Sequence, residues 1–256
     1  MEQKINEIKA IFQAADRDKL PEIIEAYSGD QRSGVQALVK HAKKTLENLE
    51  KEIERTEKMK EYEYQYGEYS YICGIDEVGR GPLAGPVVAG AVILPKNCDI
   101  LYLNDSKQLS EKKREELYDI IMEKAVATGI GYASPQRIDE INILQATYEA
   151  MRQAIRQLQI QPDLLLNDAV TIPGIPFRQI PIIKGDAKSV SIAAASIIAK
   201  VTRDRLMVQY DEVFPGYGFA SNKGYGAAAH LEALKKYGPT AIHRHSFIRN
   251  YMEVAD

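Results

Sequence analysis

The chain has 256 residues, 45% of them apolar and 27% charged, with a formal net charge of −3. That length holds one large domain or two modest ones, and the composition is that of a globular protein. The slight negative charge excludes a protein that coats nucleic acid with bulk positive charge, while leaving room for a local basic groove.

No apolar stretch approaches the roughly 18–20 residues that span a bilayer, and no membrane association is expected. The polar start, residues 1–7, reads as neither a signal nor a transit peptide, so a cytoplasmic location is expected. Cys73 and Cys98 lie in no CxxC pattern, which argues against a zinc site or a disulfide framework. Residues 1–68 read as helical throughout. Ile5, Ile8, Ile11 and Phe12 recur at helical spacing, and Pro21 suits a helix start. A long helix is predicted over 35–62, with Val35, Leu38, Val39, Ala42, Leu46, Leu49 and Ile53 on one face. This segment carries 12 Lys+Arg and 15 Asp+Glu, so the whole net charge of the chain resides in it.

From Tyr69 the periodicity changes. Strands are predicted over 70–76, 86–94, 127–133, 162–168 and 178–184. Helices are predicted over 110–125, with Ser110 as N-cap, and over 139–158, 189–213, 224–236 and 246–252. This alternation points to an α/β fold with helices packed on a sheet. Two domains follow: a helical extension over 1–68, read as a substrate or partner module, and a catalytic domain over 69–256.

Three of the strands carry acids at or just past their ends. Asp76 and Glu77 close the first, Asp168 ends the Leu164-Leu165-Leu166-Asn167 run, and Asp186 precedes the long helix. Singly, each is a helix cap or turn residue. Together they form the hard oxygen set that magnesium or manganese takes, with positions left for water and phosphate. Beyond Glu77 the loop Gly79-Arg80-Gly81 combines close backbone approach with one guanidinium, a pairing suited to phosphate. Lys200 and Arg203 are a phosphate pair or merely solvated charges. Ser189 is a helix cap at a ready anion site. The loop Ser221-Asn222-Lys223-Gly224-Tyr225-Gly226 is an exposed turn, or lays its ring on a sugar or base. His243 and His245 invite an acid–base or metal role.

Asp76-Glu77-Val78-Gly79-Arg80-Gly81-Pro82, Asp105-Ser106-Lys107, Lys184-Gly185-Asp186, the run AAASIIAKVTRD from Ala193 to Asp204, Lys223-Gly224-Tyr225 and His243-Arg244-His245-Ser246-Phe247 occur in that order. With these motifs the chain resembles bacterial ribonuclease HII, the type 2 ribonuclease H, over about residues 70–250. Arg80 stands where type 3 relatives usually carry threonine.

The resemblance implies an RNase H-like mixed sheet flanked by helices, with C-terminal helices beyond. It implies cleavage of RNA in RNA–DNA hybrids and of DNA duplexes at embedded ribonucleotides, leaving a 3′-hydroxyl and a 5′-phosphate. Asp76, Glu77, Asp168 and Asp186 match the family's catalytic, metal-holding acids, for Mg2+ or Mn2+. Asn167 and Ala169 depart from the Asp-Gly-Asn often found around the third. Gly79, Arg80 and Gly81 match the loop that reads the 2′-hydroxyl, and Tyr225 the junction-sensing tyrosine. Lys107, Ser189, Lys200 and Arg203 are expected at phosphates. A monomer is expected, and no protein partner is indicated. Other readings are a different metal-dependent phosphohydrolase and a non-catalytic hybrid-binding protein.

Overall fold

The computed structural model describes residues 3–252. They divide into two compact units between Glu57 and Lys58. The first holds α1 (Ile5–Ala14), α2 (Leu20–Tyr27) and nearly all of α3 (Ser33–Lys58). Its core is Ile24, Val39 and Ala42, wrapped by Phe12, Leu20, Tyr27 and Leu46. Pro21 lies in the first turn of α2, where a missing N–H costs nothing.

The second unit is built on one sheet. α4 (Glu61–Gln65) leads to β1 (Ile72–Val78) and β2 (Val87–Ile93), then α5 (Glu111–Lys124), β3 (Ala127–Ala133) and α6 (Pro135–Gln157). β4 (Leu164–Asp168), β5 (Arg178–Ile182) and α7 (Val190–Val213) follow, and α8 (Phe219–Asn222), α9 (Ala228–Tyr237) and α10 (His245–Met252) end the unit. The strand order is β3-β2-β1-β4-β5. β1, β2 and β3 form an antiparallel meander, while β4 and β5 run parallel to β1.

α6 covers one face of the sheet, over Cys73, Ile75, Ala89 and Ala91, and α7 covers the other. Strand glycines set the approach. A Cβ on Gly74 would lie 2.1 Å from the Ser191 carbonyl, and one on Gly131 1.9 Å from the Ala150 oxygen. The helix backbones therefore rest on the strands, and the small residues Ala193, Ala194, Ala195 and Ser196 permit it. A smaller core of Ala84, Met207, Tyr217, Phe219, Ala233 and Ile242 ties the end of α7 to α8 and α9.

Four expected boundaries move. The long helix predicted over 35–62 stops at Lys58, and α4 is a separate piece. α4 belongs with the sheet: Met59 is buried beside α7, and Tyr62 and Tyr66 pack on Leu164, Leu166 and Ile182. The compact divide therefore precedes the composition change at residue 68. α6 starts at Pro135 rather than 139, capped by Ser134, and kinks at Asn142 (φ 67°). α9 starts at Ala228 rather than 224, because Lys223 and Gly224 are left-handed (φ 52° and 86°).

Candidate active site

Alternation along the strands decides which acids share a face. Cys73 and Ile75 belong to the α6 side, so Gly74 and Asp76 face α7. In β4, Leu164 and Leu166 pack with Ile192 of α7, so Asp168 faces α7 as well. The β1–β4 pairing joins Ile72 to Leu164 and Gly74 to Leu166. Asp76 and Asp168 each follow the last paired residue of their strand, Ile75 and Asn167, and Asp168 is near enough for its charge to raise Asp76. β1 runs on past these acids to Val78, held there by β2 alone, because its pairing with β4 ends at Ile75 and Asn167. Asp186 lies in a single 3-10 turn after β5. Asp168 Oδ1 accepts the Gly185 N–H at 2.7 Å, which ties this turn to β4. The residues flanking the junction, Ala169 and Lys184, are left-handed at φ 55° and 57°.

Three of these carboxyls, Asp76, Glu77 and Asp186, are raised. Asp76, 6% exposed, is held well above the usual range, first by burial and then by the charge of Glu77. A hydrogen bond from Ser196 opposes this, and Asp168 adds to it. Glu77 is raised by burial against the pull of Arg80, whose Nη1 lies 3.2 Å from its Oε1. Asp186 rises to about 6 through burial, then through Asp105 and Asp168, with Lys107 opposing. Lys107 is itself raised: burial acts against its charge, but Asp105, Asp76 and Asp186 together outweigh it. Among the described residues, Glu77 is the only one of the four acids in an ion pair.

Such a set fits a hard divalent cation. Among the described residues no three acid, histidine or cysteine side chains form a finished cage. The acids instead lie near enough to act on one another electrostatically, and a magnesium-type ion characteristically keeps waters and takes phosphate oxygens at positions the protein does not fill.

Two loops border the acids. Arg80 is exposed on Gly79-Arg80-Gly81, and Tyr225 stands 44% exposed beside Gly81. Beneath them lie two arginines with no exposed surface. Arg203 donates to the carbonyls of Pro86 (2.9 Å), Lys223 (2.9 Å) and Ala84 (3.1 Å). Arg244 donates to Arg80 (2.9 Å), Gly79 (2.5 Å) and Gly85 (2.8–2.9 Å). The Gly224 carbonyl accepts from Leu83 and Ala84, completing a tie between the loops.

The expectation of a phosphate contact for Arg203 is therefore corrected: it has no exposed surface, and three of its five donors go to carbonyls of the chain. Ser189 is corrected too. It is fully buried, caps α7 through Ile192 N–H at 3.2 Å, and donates to Glu63 Oε1 at 2.6 Å. Glu63 also takes the Ser191 N–H at 3.0 Å. Lys200 is paired with Asp204 at 2.8 Å, with side chains only 14% and 11% exposed. Lys107 remains among the acids.

Sequence reasoning missed Asp105 as a partner of Asp186, Arg244 as a loop clamp, and the true histidine pair. His243 meets His230, with Nε2 atoms 3.0 Å apart, while His245 is exposed. The Asp105-Ser106-Lys107 motif carried a signal for the first; the other two depend on contacts between distant segments.

This is the architecture of the ribonuclease H class of nucleases. Comparison with known proteins narrows it. Residues 73–250 match the family model described as Ribonuclease HII, and residues 4–67 match the Ribonuclease HII N-terminal domain. Ribonuclease HII of Lachnoclostridium phytofermentans is 64% identical over 250 residues, 98% of each chain. The ribonuclease H2 of Pyrococcus horikoshii superposes with a TM-score of 0.60 at 30% identity, over 72% of this chain and 97% of that one. The structure of the PCNA:RNase HII complex from Archaeoglobus fulgidus matches at TM-score 0.58 and 27% identity, over 72% and 98%. The chain belongs to the ribonuclease HII family. It is a ribonuclease H, an endonuclease that hydrolyses phosphodiester bonds. Among the described residues no helix is long and apolar enough to cross a membrane.

Proposed function

We propose that the enzyme cleaves the RNA strand of RNA–DNA hybrids, and also cuts duplex DNA on the 5′ side of an embedded ribonucleotide, leaving a 3′-hydroxyl and a 5′-phosphate. Asp76, Glu77, Asp168 and Asp186 hold the divalent ions, Mg2+ or Mn2+. When bound, such ions supply Lewis acidity toward the attacking water, the scissile phosphate and the leaving oxygen. The observation that carries this reading is that Asp76 and Asp168 directly follow the last paired residues of adjoining parallel strands, with the charge of Asp168 raising Asp76 and neither acid in an ion pair among the described residues.

The chain's own groups do the rest. Backbone of Gly79, Arg80 and Gly81 meets the 2′-hydroxyl, the group that separates RNA from DNA. Arg80 and Lys107 meet phosphate, and the Tyr225 ring packs on the neighbouring deoxyribose. Arg203 and Ser189 shape the loop and helix behind these contacts. Replacing Lys107 by alanine should lower the log–log salt slope of binding by about 0.9 if it neutralises one phosphate. For residues 1–68 we propose a module that grips duplex or a protein partner; removing the first unit and measuring KM on hybrid duplex tests the duplex arm. The deciding assay is a DNA duplex bearing one ribonucleotide, with the cut mapped in Mg2+ and then Mn2+. A cut 5′ of the ribonucleotide is expected; hydrolysis of mononucleotides alone would overturn the reading.

A further inference from the structure

His230 and His243 form a buried pair that the reaction does not use. Both are at most 1% exposed, packed among Tyr217 and Phe219. Their hydrogen bonds run in one direction. Thr240 N–H donates to His243 Nδ1 at 2.9 Å, so that nitrogen carries no proton. The neutral His243 ring then holds its proton on Nε2 and donates to His230 Nε2 at 3.0 Å. His230 in turn keeps its proton on Nδ1, which lies 2.8 Å from the Tyr225 carbonyl, an acceptor only. The Thr240 hydroxyl also lies 2.9 Å from His243 Nδ1, where it can donate alongside the N–H, and the backbone donor at one end and backbone acceptor at the other favour this neutral arrangement. Burial holds both rings neutral, His243 down to about 4, with His230 beside it adding to the effect.

The chain ends on the residue that presents its ring to the substrate side. Tyr225 follows two left-handed residues, Lys223 and Gly224. Their carbonyls are held by Arg203 and by Leu83 and Ala84; the Tyr225 carbonyl is held by His230 and by Ala227 N–H. Packing in this cluster needs only apolar bulk. A buried, fully paired polar relay gives direction instead, since its geometry is specified at each bond. We propose that His230, its tautomer fixed by His243, is a positioning residue for Tyr225 and so a determinant of specificity for a ribonucleotide embedded in DNA. This rests on the reading of Tyr225 as the ring that packs on deoxyribose.

The test compares kcat/KM on a duplex with one ribonucleotide against a long RNA–DNA hybrid, for Tyr225→Ala, His230→Gln and His230→Asn. Asparagine keeps a donor at the Nδ1 position; glutamine moves it to the Nε2 position. Misplacing a substrate-positioning group by about 1 Å can cost about 10²-fold. Tyr225→Ala and His230→Gln should each lower the single-ribonucleotide to hybrid ratio about tenfold or more, while His230→Asn restores most of it. A shift with Tyr225→Ala but none with His230→Gln overturns the positioning role and leaves the tyrosine reading standing. No shift with Tyr225→Ala overturns both. Equal loss on both substrates marks a purely structural pair and overturns the proposal. The unaltered protein gives an arm that needs no variant: 15N–1H spectra should show Nδ1–H on His230 and Nε2–H on His243 at neutral pH. The reverse assignment would sink the relay.

Discussion

Asp76 and Arg244 are both withdrawn from water, at 6% and 0% exposure, yet their surroundings are unlike. Arg244 is solvated by three carbonyls of the loop it sits under. Asp76 has the Ser196 hydroxyl and the Glu77 N–H, but Glu77 and Asp168 press more negative charge upon it. A buried charge persists when the protein replaces its lost water. For the arginine that replacement is enough to keep the charge at neutral pH, although burial and the neighbouring Arg203 bring it down to about 9. For the carboxyls it is not, and the missing part has to arrive from outside. Satisfied charge here fixes shape, and unsatisfied charge makes a binding site.

The contrast is broken most severely at its acidic side. Asp76→Asn should retain hybrid binding and lose cleavage by several orders of magnitude, read by single-turnover assay in Mg2+; near-normal turnover would remove Asp76 from the machinery. Next comes the loop side. Arg244→Ala strands its carbonyl partners and should cost about 3 kcal/mol or more of unfolding free energy in denaturant melts. Arg80→Ala, which removes only a 3.2 Å partly exposed pair, should cost under about 1 kcal/mol while still impairing cleavage.

A subtler effect follows from Asp186. Its carboxyl binds a proton more tightly folded, at about 6, than unfolded, near 3.8. That contribution to stability is full below about pH 4 and is lost as pH rises through about 6. The Tm of EDTA-treated protein should therefore fall across this window. Asp186→Asn should flatten the fall, and Mg2+ should stabilise more at neutral pH than at acid pH. The smallest effect is expected at Ala169. Left-handed backbone costs a non-glycine residue about 1–2 kcal/mol, part of which glycine gives back as chain entropy. Ala169→Gly should raise stability by about 1 kcal/mol or less, with cleavage little changed.

The four acids were legible in sequence because an acid at the end of an apolar run is costly and therefore conspicuous. The five strands were legible because their apolar runs are bounded by turns. What sits on α7 was not. Val190 to Ala199 are buried almost all round, so no polar face marks which way Arg203 points. Its burial comes from loops near residues 84 and 223, far off in the chain. The Lys200–Asp204 pair was visible at its i,i+4 spacing, yet a phosphate role was preferred. Ser134-Pro135 announced the start of α6, but the kink at Asn142 broke the periodicity that should have reached it.

Residues upstream of β1 close the first turn of the helix that follows Asp186, through the Met59 carbonyl on Val190 N–H and the Glu63 carboxylate on Ser189 and Ser191. For anyone exchanging front pieces between relatives, the joint therefore belongs at residue 57. A splice at residue 68 replaces Met59 and Glu63 with a foreign plug for α7, a truncation there removes it, and the resulting drop in turnover would masquerade as weakened grip on the duplex.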